Sequence, residues 1–346
     1  MALIRSFGEN PSGKMKLTIS QSPNYKNESF ENFSKTLLMA ENSSMLRNIV
    51  KFLNKPKYTA PPSVLPSVKT NLKTLSDKEP SIIWFGHSSY LIHIGDKNIL
   101  VDPVFSGHAS PFSFGAKSFA GSDVYSVDDL PDIDLLILTH DHYDHLDNRT
   151  VTKLKEKIKQ VATSLGVSSH LMYWGFDEAI ISEFDWWQSK VLPGGINLTA
   201  APARHFSGRS FTRNKTLWAS FILSIGNNRI YIGGDSGYDS HFKSIGEKSG
   251  PFDIAILECG QYNDNWPDIH MMPENTAQAA VDLKAKWLLP VHWAKFSLAL
   301  HPWDEPIQRV IAKAKELKIN VTTPMIGEPV ILNESYPNEK WWESVK

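Results

Sequence analysis

The amino-acid sequence predicts an α/β fold in which β-sheets are covered by helices. From residue 81 onward, short apolar runs bounded by turn residues alternate with segments of helical periodicity, as expected for layered sheets and helices. Histidines or acidic residues follow the ends of several of these runs. Because strand ends at one edge of a sheet lie close together, the same pattern predicts a cluster of metal-ligating side chains.

The composition is that of a globular protein without an excess of positive charge. The chain has 346 residues, enough for one large or two ordinary domains. Hydrophobic residues make up 41% and charged residues 21% of it, which is typical of globular domains. Lysine and arginine number 36 against 37 acidic residues, a balance that argues against a protein dedicated to nucleic-acid binding.

Three features of the sequence predict a cytoplasmic protein. Cys259 is the single cysteine, which excludes an intrachain disulfide and fits a reducing compartment. No apolar run approaches the ~20 residues that a membrane span needs. Residues 1–16 lack the apolar core of a signal peptide. A homo-oligomer remains possible.

Residues 1–80 are predicted to form an arm packed on a main domain at residues 81–335, with a C-terminal tail at residues 336–346. The arm is polar and interrupted by prolines. Residues 33–53 contain one predicted amphipathic helix. Its apolar face either packs on the main domain or docks a lipid or a partner protein.

A strand and a β-hairpin open the main domain. Strands are predicted at residues 82–85, 90–94 and 98–101, with a tight turn at residues 95–97. The last strand ends at Asp102, which precedes a proline. A carboxylate there can accept a hydrogen bond from the free ring nitrogen of a metal-bound histidine. The alternative is an exposed aspartate in a turn.

The central feature of the chain is the sequence HDHYDH directly after the apolar run at residues 133–138. It places His140, His142, Asp144 and His145 within six residues. Imidazole and carboxylate are ligands for divalent metals such as zinc. Because Asp144 and His145 project differently from His140 and His142, this loop can serve two metal ions. The alternative is a solvated polar loop.

Three later ligand-type residues also follow predicted strands. The further predicted elements are a helix at 148–158, strands at 161–163, 179–181 and 196–202, a hairpin of 217–225 with 229–233, a strand at 252–257, a helix at 273–283, a strand at 287–291 and a helix at 305–317. His205, Asp235 and His292 each lie just beyond a strand. Each alone is more simply structural, but their common position predicts that they meet in one cleft.

This set of residues resembles the metallo-β-lactamase superfamily. The resemblance rests on Asp102, the HxHxDH run from His140 to His145, and then His205, Asp235 and His292 in order. It implies a four-layer αβ/βα sandwich of two similar halves, with two mixed sheets flanked by helices. It also implies metals at one edge between the sheets.

The resemblance implies a specific division of ligands between two divalent ions. One ion would be held by His140, His142 and His205, and the other by Asp144, His145 and His292, with Asp235 bridging both and Asp102 supporting a ligand from behind. Zinc is the first expectation, with manganese and iron as alternatives, because all three accept nitrogen and oxygen ligands.

Several other segments are similar to N-acylphosphatidylethanolamine-hydrolysing phospholipase D and its bacterial relatives. They are residues 84–89, 101–106, 110–114, 214–220, 270–274 and 291–296. The likeness implies a hydrolase that uses hydroxide held by a dinuclear metal centre, acting on a phosphodiester in a small or lipid-like anionic substrate. A lactonase or another carboxylic-ester hydrolase remains an alternative, as does a non-catalytic metal-binding or sensing protein.

The same likeness implies catalytic roles for Asp144, Asp235 and His270. His270 matches a histidine thought to act near the substrate phosphate, the alternative being a residue that caps the following helix. His87 and His241 are predicted to be structural. Trp266, Trp293 and Trp303 are predicted to wall an apolar pocket, with packing in the core as the alternative. Arg204, Arg209, Arg213 and Lys295 are candidate contacts for an anion or members of surface ion pairs.

Overall fold

Two seven-stranded mixed sheets form the body of the protein. The computed structural model describes residues 5–40, 50–52, 54–112, 115–209 and 212–346. A separate small ribbon pairs β1 (Tyr25–Lys26) with β2 (Ser29–Phe30). The prediction of an α/β fold with two mixed sheets flanked by helices is confirmed.

The first sheet has the strand order β16-β3-β4-β5-β6-β7-β8. Its strands are β3 (Ser81–Trp84), β4 (Tyr90–Ile94), β5 (Lys97–Val101), β6 (Leu135–Leu138), β7 (Val161–Ser164), β8 (Ile181–Phe184) and β16 (Pro329–Ile331). Pairing is antiparallel from β16 to β5 and parallel from β5 to β8. The parallel pairing of β5 and β6 brings their carboxyl ends, and therefore Asp102 and His140, to the same edge.

The second sheet repeats this plan with the strand order β15-β14-β13-β12-β11-β10-β9. Its strands are β9 (Ser189–Leu192), β10 (Ile196–Ala201), β11 (Ser220–Ile225), β12 (Asn228–Ile232), β13 (Phe252–Glu258), β14 (Ala285–Val291) and β15 (Asn320–Val321). Pairing is antiparallel from β9 to β12 and parallel from β12 to β15. The parallel ends of β12, β13 and β14 therefore lead to Asp235, Glu258 and His292 at one edge.

Helices cover the outer face of each sheet. The α-helices with both ends inside the described residues are α1 (Gly13–Ile19), α2 (Asn148–Leu154), α3 (Ser168–Tyr173), α4 (His241–Ser249), α5 (Pro273–Asp282) and α6 (Glu305–Leu317). Short 3-10 turns lie at Lys57–Thr59, Leu72–Thr74, Val127–Asp129, Lys155–Lys157, Glu178–Ile180 and Trp341–Ser344. Helix α5 packs on β13, β14 and α6. Among the described residues, no helix is both long and apolar enough to cross a membrane.

The side chains of β6 explain why its sequence is apolar throughout. Leu135 and Ile137 belong to the core between the sheets, whereas Leu136 and Leu138 pack in a second cluster that includes Leu154 of α2. Successive side chains of a strand point to opposite faces, so a strand covered on both sides lacks polar alternation.

Some local predictions differ from the structure. Of the helix predicted within residues 33–53, residues 33–40 are irregular and residues 50–52 are helical, while residues 41–49 and 53 lie outside the described residues. The strand predicted at residues 179–181 begins only at Ile181, because the Asp177 side chain accepts a hydrogen bond from Ala179 N–H and caps a 3-10 turn there.

The amino-terminal residues contact the sheets and the loops between them. Leu37 N–H donates to Asp268 Oδ2 at 2.8 Å, and Ala40 N–H donates to the Asn265 carbonyl at 2.7 Å. Asn32 Nδ2–H donates to the His205 carbonyl at 2.8 Å. These contacts place the described part of the arm against the main body, while the boundaries at residues 80 and 335 stay a prediction.

A cluster of tryptophans ties the carboxyl-terminal residues to the core. The Trp293 ring lies 5.2 Å from that of Trp341 and 5.7 Å from that of Trp342, with Trp84 at 5.6 Å on another side. All four are buried. Trp293 and Trp303 therefore belong to the core, and the expectation that they wall a substrate pocket is wrong.

Replacing Trp342 with alanine is expected to lower the free energy of unfolding by about 3–5 kcal/mol, the usual effect of removing a buried aromatic side chain. Urea unfolding of the full chain measures this. Val191→Ala is the control, because Val191 is 74% exposed and exposed substitutions change stability by about 0.5 kcal/mol or less. Equal stability of the two variants would contradict a structural role for the carboxyl-terminal residues.

Candidate metal centre

Backbone hydrogen bonds join the two sheets at the edge where the candidate residues lie. His87 N–H donates to the Trp293 carbonyl and His292 N–H donates to the His87 carbonyl, each at 2.9 Å. Ala219 N–H donates to the Thr139 carbonyl at 3.1 Å. The loops that follow β3 and β6 are thereby held against the residue before β11 and the residues after β14.

Three residues at this edge have strained backbones. The φ angles of His87, Asp102 and His292 are 52°, 40° and 69°, in the left-handed region that non-glycine residues rarely adopt. Such strain persists where the surroundings enforce it, and it is concentrated at functional sites. Here it aims three polar side chains from strand ends into the same space.

A first group of side chains comprises His140, His142, His205 and Asp235. Their ligand-type atoms all lie within 4.8 Å of one another. His140 Nε2 lies 3.0 Å and His205 Nε2 lies 3.2 Å from His142 Nδ1. The structure thus brings together residues that follow β6, β10 and β12.

A second group comprises His87, Asp144, His145 and His292, again with ligand-type atoms within 4.8 Å of one another. Asp144 Oδ2 lies 3.6 Å from His145 Nε2 and 3.9 Å from His292 Nε2. Its distance from His87 Nε2 is 3.0 Å.

Asp235 lies between the two groups. Its Oδ2 atom is 3.1 Å from His145 Nε2, 3.7 Å from His205 Nε2 and 3.8 Å from His140 Nε2. Its Oδ1 atom is 3.0 Å from His292 Nδ1. One carboxylate therefore reaches ligand atoms of both groups.

Neighbouring groups fix the tautomers of three histidines. His145 Nδ1–H donates to Asp102 Oδ2 at 2.8 Å, and His205 Nδ1–H donates to the Ile269 carbonyl at 2.8 Å. Thr139 Oγ1 gives its hydrogen to Asp102 Oδ2 at 2.6 Å, so it can only accept from His140 Nδ1, 3.0 Å away. Nε2 is consequently the ring nitrogen through which His140, His145 and His205 could each bind a cation.

The site has fewer hydrogen-bond donors than acceptors. Within the described residues, the buried atoms His145 Nε2, His292 Nε2 and Asp235 Oδ1 make no contact of hydrogen-bond geometry, although Asp235 lies close to both rings. A buried polar group without a hydrogen bond costs about 1–3 kcal/mol. The lone pairs of His140 and His205 both face His142 Nδ1, which has at most one proton to offer. Cations coordinated by these atoms would satisfy them, so the donor set fits divalent metal ions.

Electrostatics favour the metal-binding protonation states of most candidate ligands. The exception is His145: burial disfavours its imidazolium, but the carboxylates of Asp235, Asp144 and Asp102 outweigh burial and raise its pKa well above the ordinary value. Burial, reinforced by neighbouring imidazoles, lowers the pKa of His140, His205 and His292 well below the ordinary value. Burial alone would raise the pKa of Asp144 and Asp235, but the imidazoles around them, His145 foremost, hold it well below the ordinary aspartate value. Neutral imidazoles and ionised carboxylates are the forms that bind metals.

His87 lies at the second group. Its ring is fully buried and lies 4.0 Å from the ring of His292, and its Nε2 atom contacts Asp144 Oδ2; that its role is structural stays a prediction. The sequence signal for this position was present, since His87 follows strand β3 just as His140 follows β6. His241, by contrast, contacts Ser236 Oγ at 3.2 Å and lies outside both groups.

Sequence reasoning missed Glu258, the partner of His270. His270 Nδ1–H donates to Glu258 Oε2 at 3.1 Å, and Glu258 Oε1 accepts from the backbone N–H groups of Ser236 and Met271 at 3.1 Å each. Burial disfavours the imidazolium of His270, but the carboxylates of Glu258 and Asp235 outweigh it and raise the pKa of His270. A carboxylate at a buried strand end, as at Asp102, was the available signal.

A cleft opens over the two groups, and apolar side chains form part of its walls. The described apolar side chains that line it are Leu38, Met39, Phe52, Phe206, Trp266, Ile269 and Leu298. Of the four cations considered from the sequence, Arg213 alone is among the described lining residues. Arg204 pairs with Asp268 at 3.1 Å, and Arg209 and Lys295 are buried.

Comparison with known proteins identifies the family. The beta-lactamase superfamily domain matches residues 97–293. An uncharacterized protein of Mycobacterium tuberculosis strain H37Rv is 37% identical over 327 residues, which cover 93% of this chain and 88% of the relative. The N-acyl-phosphatidylethanolamine-hydrolyzing phospholipase D 1 of Caenorhabditis elegans is 30% identical over 263 residues, which cover 71% and 74%.

A solved structure shows the same fold. The metallo hydrolase Igni18 of Ignicoccus hospitalis superposes with a TM-score of 0.57 at 20% identity, covering 74% of this chain and 99% of Igni18. The predicted likeness to the phospholipase D branch is confirmed as sequence similarity. The chain therefore belongs to the beta-lactamase superfamily and has the metallo-β-lactamase fold that its histidine and aspartate pattern predicted.

Proposed function

We propose that the protein is a metal-dependent phosphodiesterase that acts at the cleft over the two histidine and aspartate groups. The observation that carries the proposal is the position of Asp235, whose two carboxylate oxygens reach ligand atoms of both groups. Two divalent cations bound there would supply Lewis acidity, activating water and stabilising the negative charge that develops during attack.

The superfamily resemblance implies how the ligands would divide. His140, His142 and His205 would hold one cation and Asp144, His145 and His292 the other, with Asp235 within reach of both. Zinc is the first candidate for both positions because the ligands are nitrogen and oxygen atoms in buried surroundings. Manganese and iron(II) are the alternatives to be compared in the same assay.

His270 is the proposed acid for the leaving group. Its Nδ1 hydrogen is held by Glu258, so Nε2 is the atom left to exchange a proton in the cleft. The Glu258 carboxylate raises the pKa of His270, which favours the protonated ring that a general acid requires. Glu258 acts through His270 and is a positioning residue.

The walls of the cleft support a lipid-like anionic substrate. Arg213 offers a positive charge for a phosphate group, while Phe52 and Trp266, whose rings stack at 6.1 Å, offer apolar surface. The name of the Caenorhabditis elegans relative, a phospholipase, points in the same direction. Arg204, Arg209 and Lys295 have no part in this proposal, because each is engaged by other described groups.

A cytoplasmic location is part of the proposal. Cys259, the single cysteine, is buried and unpaired, which is compatible with a reducing compartment. Fractionation of cells that express the native gene tests it, and recovery in a membrane or extracellular fraction would contradict it.

Hydrolysis of bis(p-nitrophenyl) phosphate by the zinc-loaded protein, beside a panel of lactones, tests the function. The expected result is release of p-nitrophenol that stops on chelation and returns when zinc is restored. Hydrolysis of lactones without hydrolysis of the phosphodiester would identify a carboxylic-ester hydrolase instead. Tight metal binding without turnover of either class would identify a metal-binding or sensing protein.

Asp102→Asn is expected to weaken zinc binding by about 10–100-fold, the usual effect of removing a carboxylate that orients a metal-bound histidine. Asparagine keeps the shape of the side chain but loses the charge that holds His145 Nδ1–H. Competition with a chromophoric chelator measures the affinity. Asp253→Asn, which breaks a surface pair with Lys286, is the matched control, and equal affinity of the two variants would exclude this role of Asp102.

A further inference from the structure

The loop from His140 to Leu146 has two chemically different sides. The side chains of His142 and Asp144 line the cleft. The alternate residues, Asp141 and Tyr143, make their contacts elsewhere: Asp141 accepts from Gly208 N–H at 2.8 Å, and Tyr143 O–H donates to the Arg209 carbonyl. The residues between the ligands are therefore held by groups that are not part of the cleft.

The Arg209 side chain binds backbone carbonyls of this loop. Its Nη1 donates to the carbonyls of Asp141 and Leu146, both at 2.7 Å, and these carbonyls bracket His142, Asp144 and His145 in the sequence. The guanidinium centre lies 4.2 Å from the ring centroid of Tyr143 and 5.1 Å from that of Trp174.

A buried guanidinium is costly unless its hydrogen bonds are made. Arg209 is 4% exposed, and the acceptors that the structure describes for it are backbone carbonyls. Two of these carbonyls belong to the loop, so they stay in place only while the loop keeps its conformation. The free-energy cost of burying the Arg209 charge therefore depends on the conformation of the ligand loop.

The third carbonyl comes from the chain's beginning. Residues 5–9, here called the N-terminal strap, provide Ser6 O as acceptor for Arg209 Nη2 at 2.8 Å. The strap also provides Arg5 O as acceptor for Trp174 Nε1–H at 2.8 Å. The first contact is made by Arg209 itself, and the second holds Trp174, whose ring lies beside the Arg209 guanidinium.

His170 links the strap to the loop by a second route. Glu9 N–H donates to His170 Nδ1 at 3.1 Å, which leaves the hydrogen on Nε2 to face Asp141 Oδ2 at 3.3 Å. Ser169 Oγ–H donates to the Glu9 carbonyl at 2.7 Å. The strap therefore reaches the ligand loop through both Arg209 and His170.

We infer that Arg209 and His170, held by the N-terminal strap, position the metal-ligand loop from the side away from the cleft. Metal affinity then depends on contacts made by residues 5–9, although none of them is a ligand. This inference rests on the proposed metal centre. Arg209 and His170 are positioning residues, since each acts through the loop rather than on substrate.

The first test compares Arg209→Met and Arg209→Lys with the native full-length chain loaded with cobalt(II). Methionine removes every donor, whereas lysine keeps a positive charge that can still bond a carbonyl. We expect the methionine variant to bind metal about tenfold more weakly or worse and to show an altered cobalt visible spectrum. The lysine variant should recover part of both properties.

A second pair of variants keeps the inference testable if removing the guanidinium prevents folding. Gly8 and Gly13 both have left-handed φ angles, 69° and 53°, so alanine strains the backbone at either position. A Cβ at Gly8 would lie 2.3 Å from His170 Nδ1, whereas one at Gly13 would have nothing within 4 Å. Only Gly8→Ala forces the strap away from His170.

The expected result is a several-fold loss of metal affinity and a changed cobalt spectrum in Gly8→Ala but not in Gly13→Ala. Native affinity and spectrum in both Gly8→Ala and Arg209→Met, even with lower stability, would overturn the inference and leave the proposed function intact. A native chain that binds no metal would overturn both together, because no ligand loop would then need positioning.

Discussion

Replacing Asp235 with asparagine is expected to lower phosphodiester turnover by on the order of a thousandfold. The carboxylate is the group whose oxygens lie near His145, His205 and His292 at once, so its charge is needed at both cation positions. A metal centre contributes several kcal/mol to the transition state, and each ~1.4 kcal/mol is a factor of about ten in rate. Initial rates with bis(p-nitrophenyl) phosphate measure the loss.

Asp96→Asn is the control for this experiment. The Asp96 side chain is 76% exposed and pairs only with the adjacent Lys97 among the described residues, so its removal should leave the rate unchanged. Elemental analysis should find fewer metal ions bound to the Asp235 variant than to the control. An Asp235 variant with full activity and full metal content would show that the Asp235 carboxylate does not bridge two cations.

Replacing His270 with glutamine is expected to lower kcat by about 10²–10⁴-fold while leaving the metal content unchanged, the range observed for loss of a general acid. Glu258→Gln is expected to lower kcat less and to shift its pH dependence. The Glu258 carboxylate raises the pKa of His270. Without it, His270 loses its proton at a lower pH, and the alkaline limb of the kcat profile moves in the acid direction.

Glu274→Gln is the matched control for the Glu258 variant. Glu274 lies at the start of α5, close to His270 in sequence, but pairs with Arg309 at 2.8 Å. The profile of kcat against pH should be unchanged in this variant. An unshifted profile in Glu258→Gln, or loss of metal from His270→Gln, would show that these two residues support the structure instead of the chemistry.

The layered architecture was predictable because each strand and helix has a characteristic hydrophobic pattern in the local sequence. The run that forms β6 is apolar at every position since both faces of the strand are covered, and helix α6 has the predicted bounds, Glu305–Leu317. Strand β16 was not predicted, because it pairs with β3 from the far end of the chain. Pairing between segments that are distant in the chain cannot be recognised from the local sequence pattern of either strand.

The candidate site was predictable to the extent that its residues follow strands. Parallel pairing brings the ends of β5 and β6 to one edge of the first sheet and those of β12, β13 and β14 to one edge of the second. The position of His140, Asp235 and His292 just beyond strands therefore allowed them to be grouped from the sequence. Glu258 obeys the same rule but precedes a cysteine and a glycine, without a neighbouring histidine in sequence to draw attention to it. Glu258 acts through its contact with His270, which lies on the loop between β13 and α5.

The groups that support the ligand loop were not predictable. Arg209 was considered as an anion contact or a surface ion pair, whereas it is buried against carbonyls of Asp141, Leu146 and Ser6. Backbone carbonyls carry no sequence signal. Only three-dimensional packing shows which of them a buried cation will use.

Anomalous X-ray diffraction from crystals of the zinc-loaded full-length chain tests the central claim most directly. The account predicts two peaks at the zinc edge, one within about 2.0–2.2 Å of the ligand nitrogens of His140, His142 and His205. The other should lie among Asp144, His145 and His292, with Asp235 in contact with both. Zinc-loaded crystals without a peak among these residues would contradict the account.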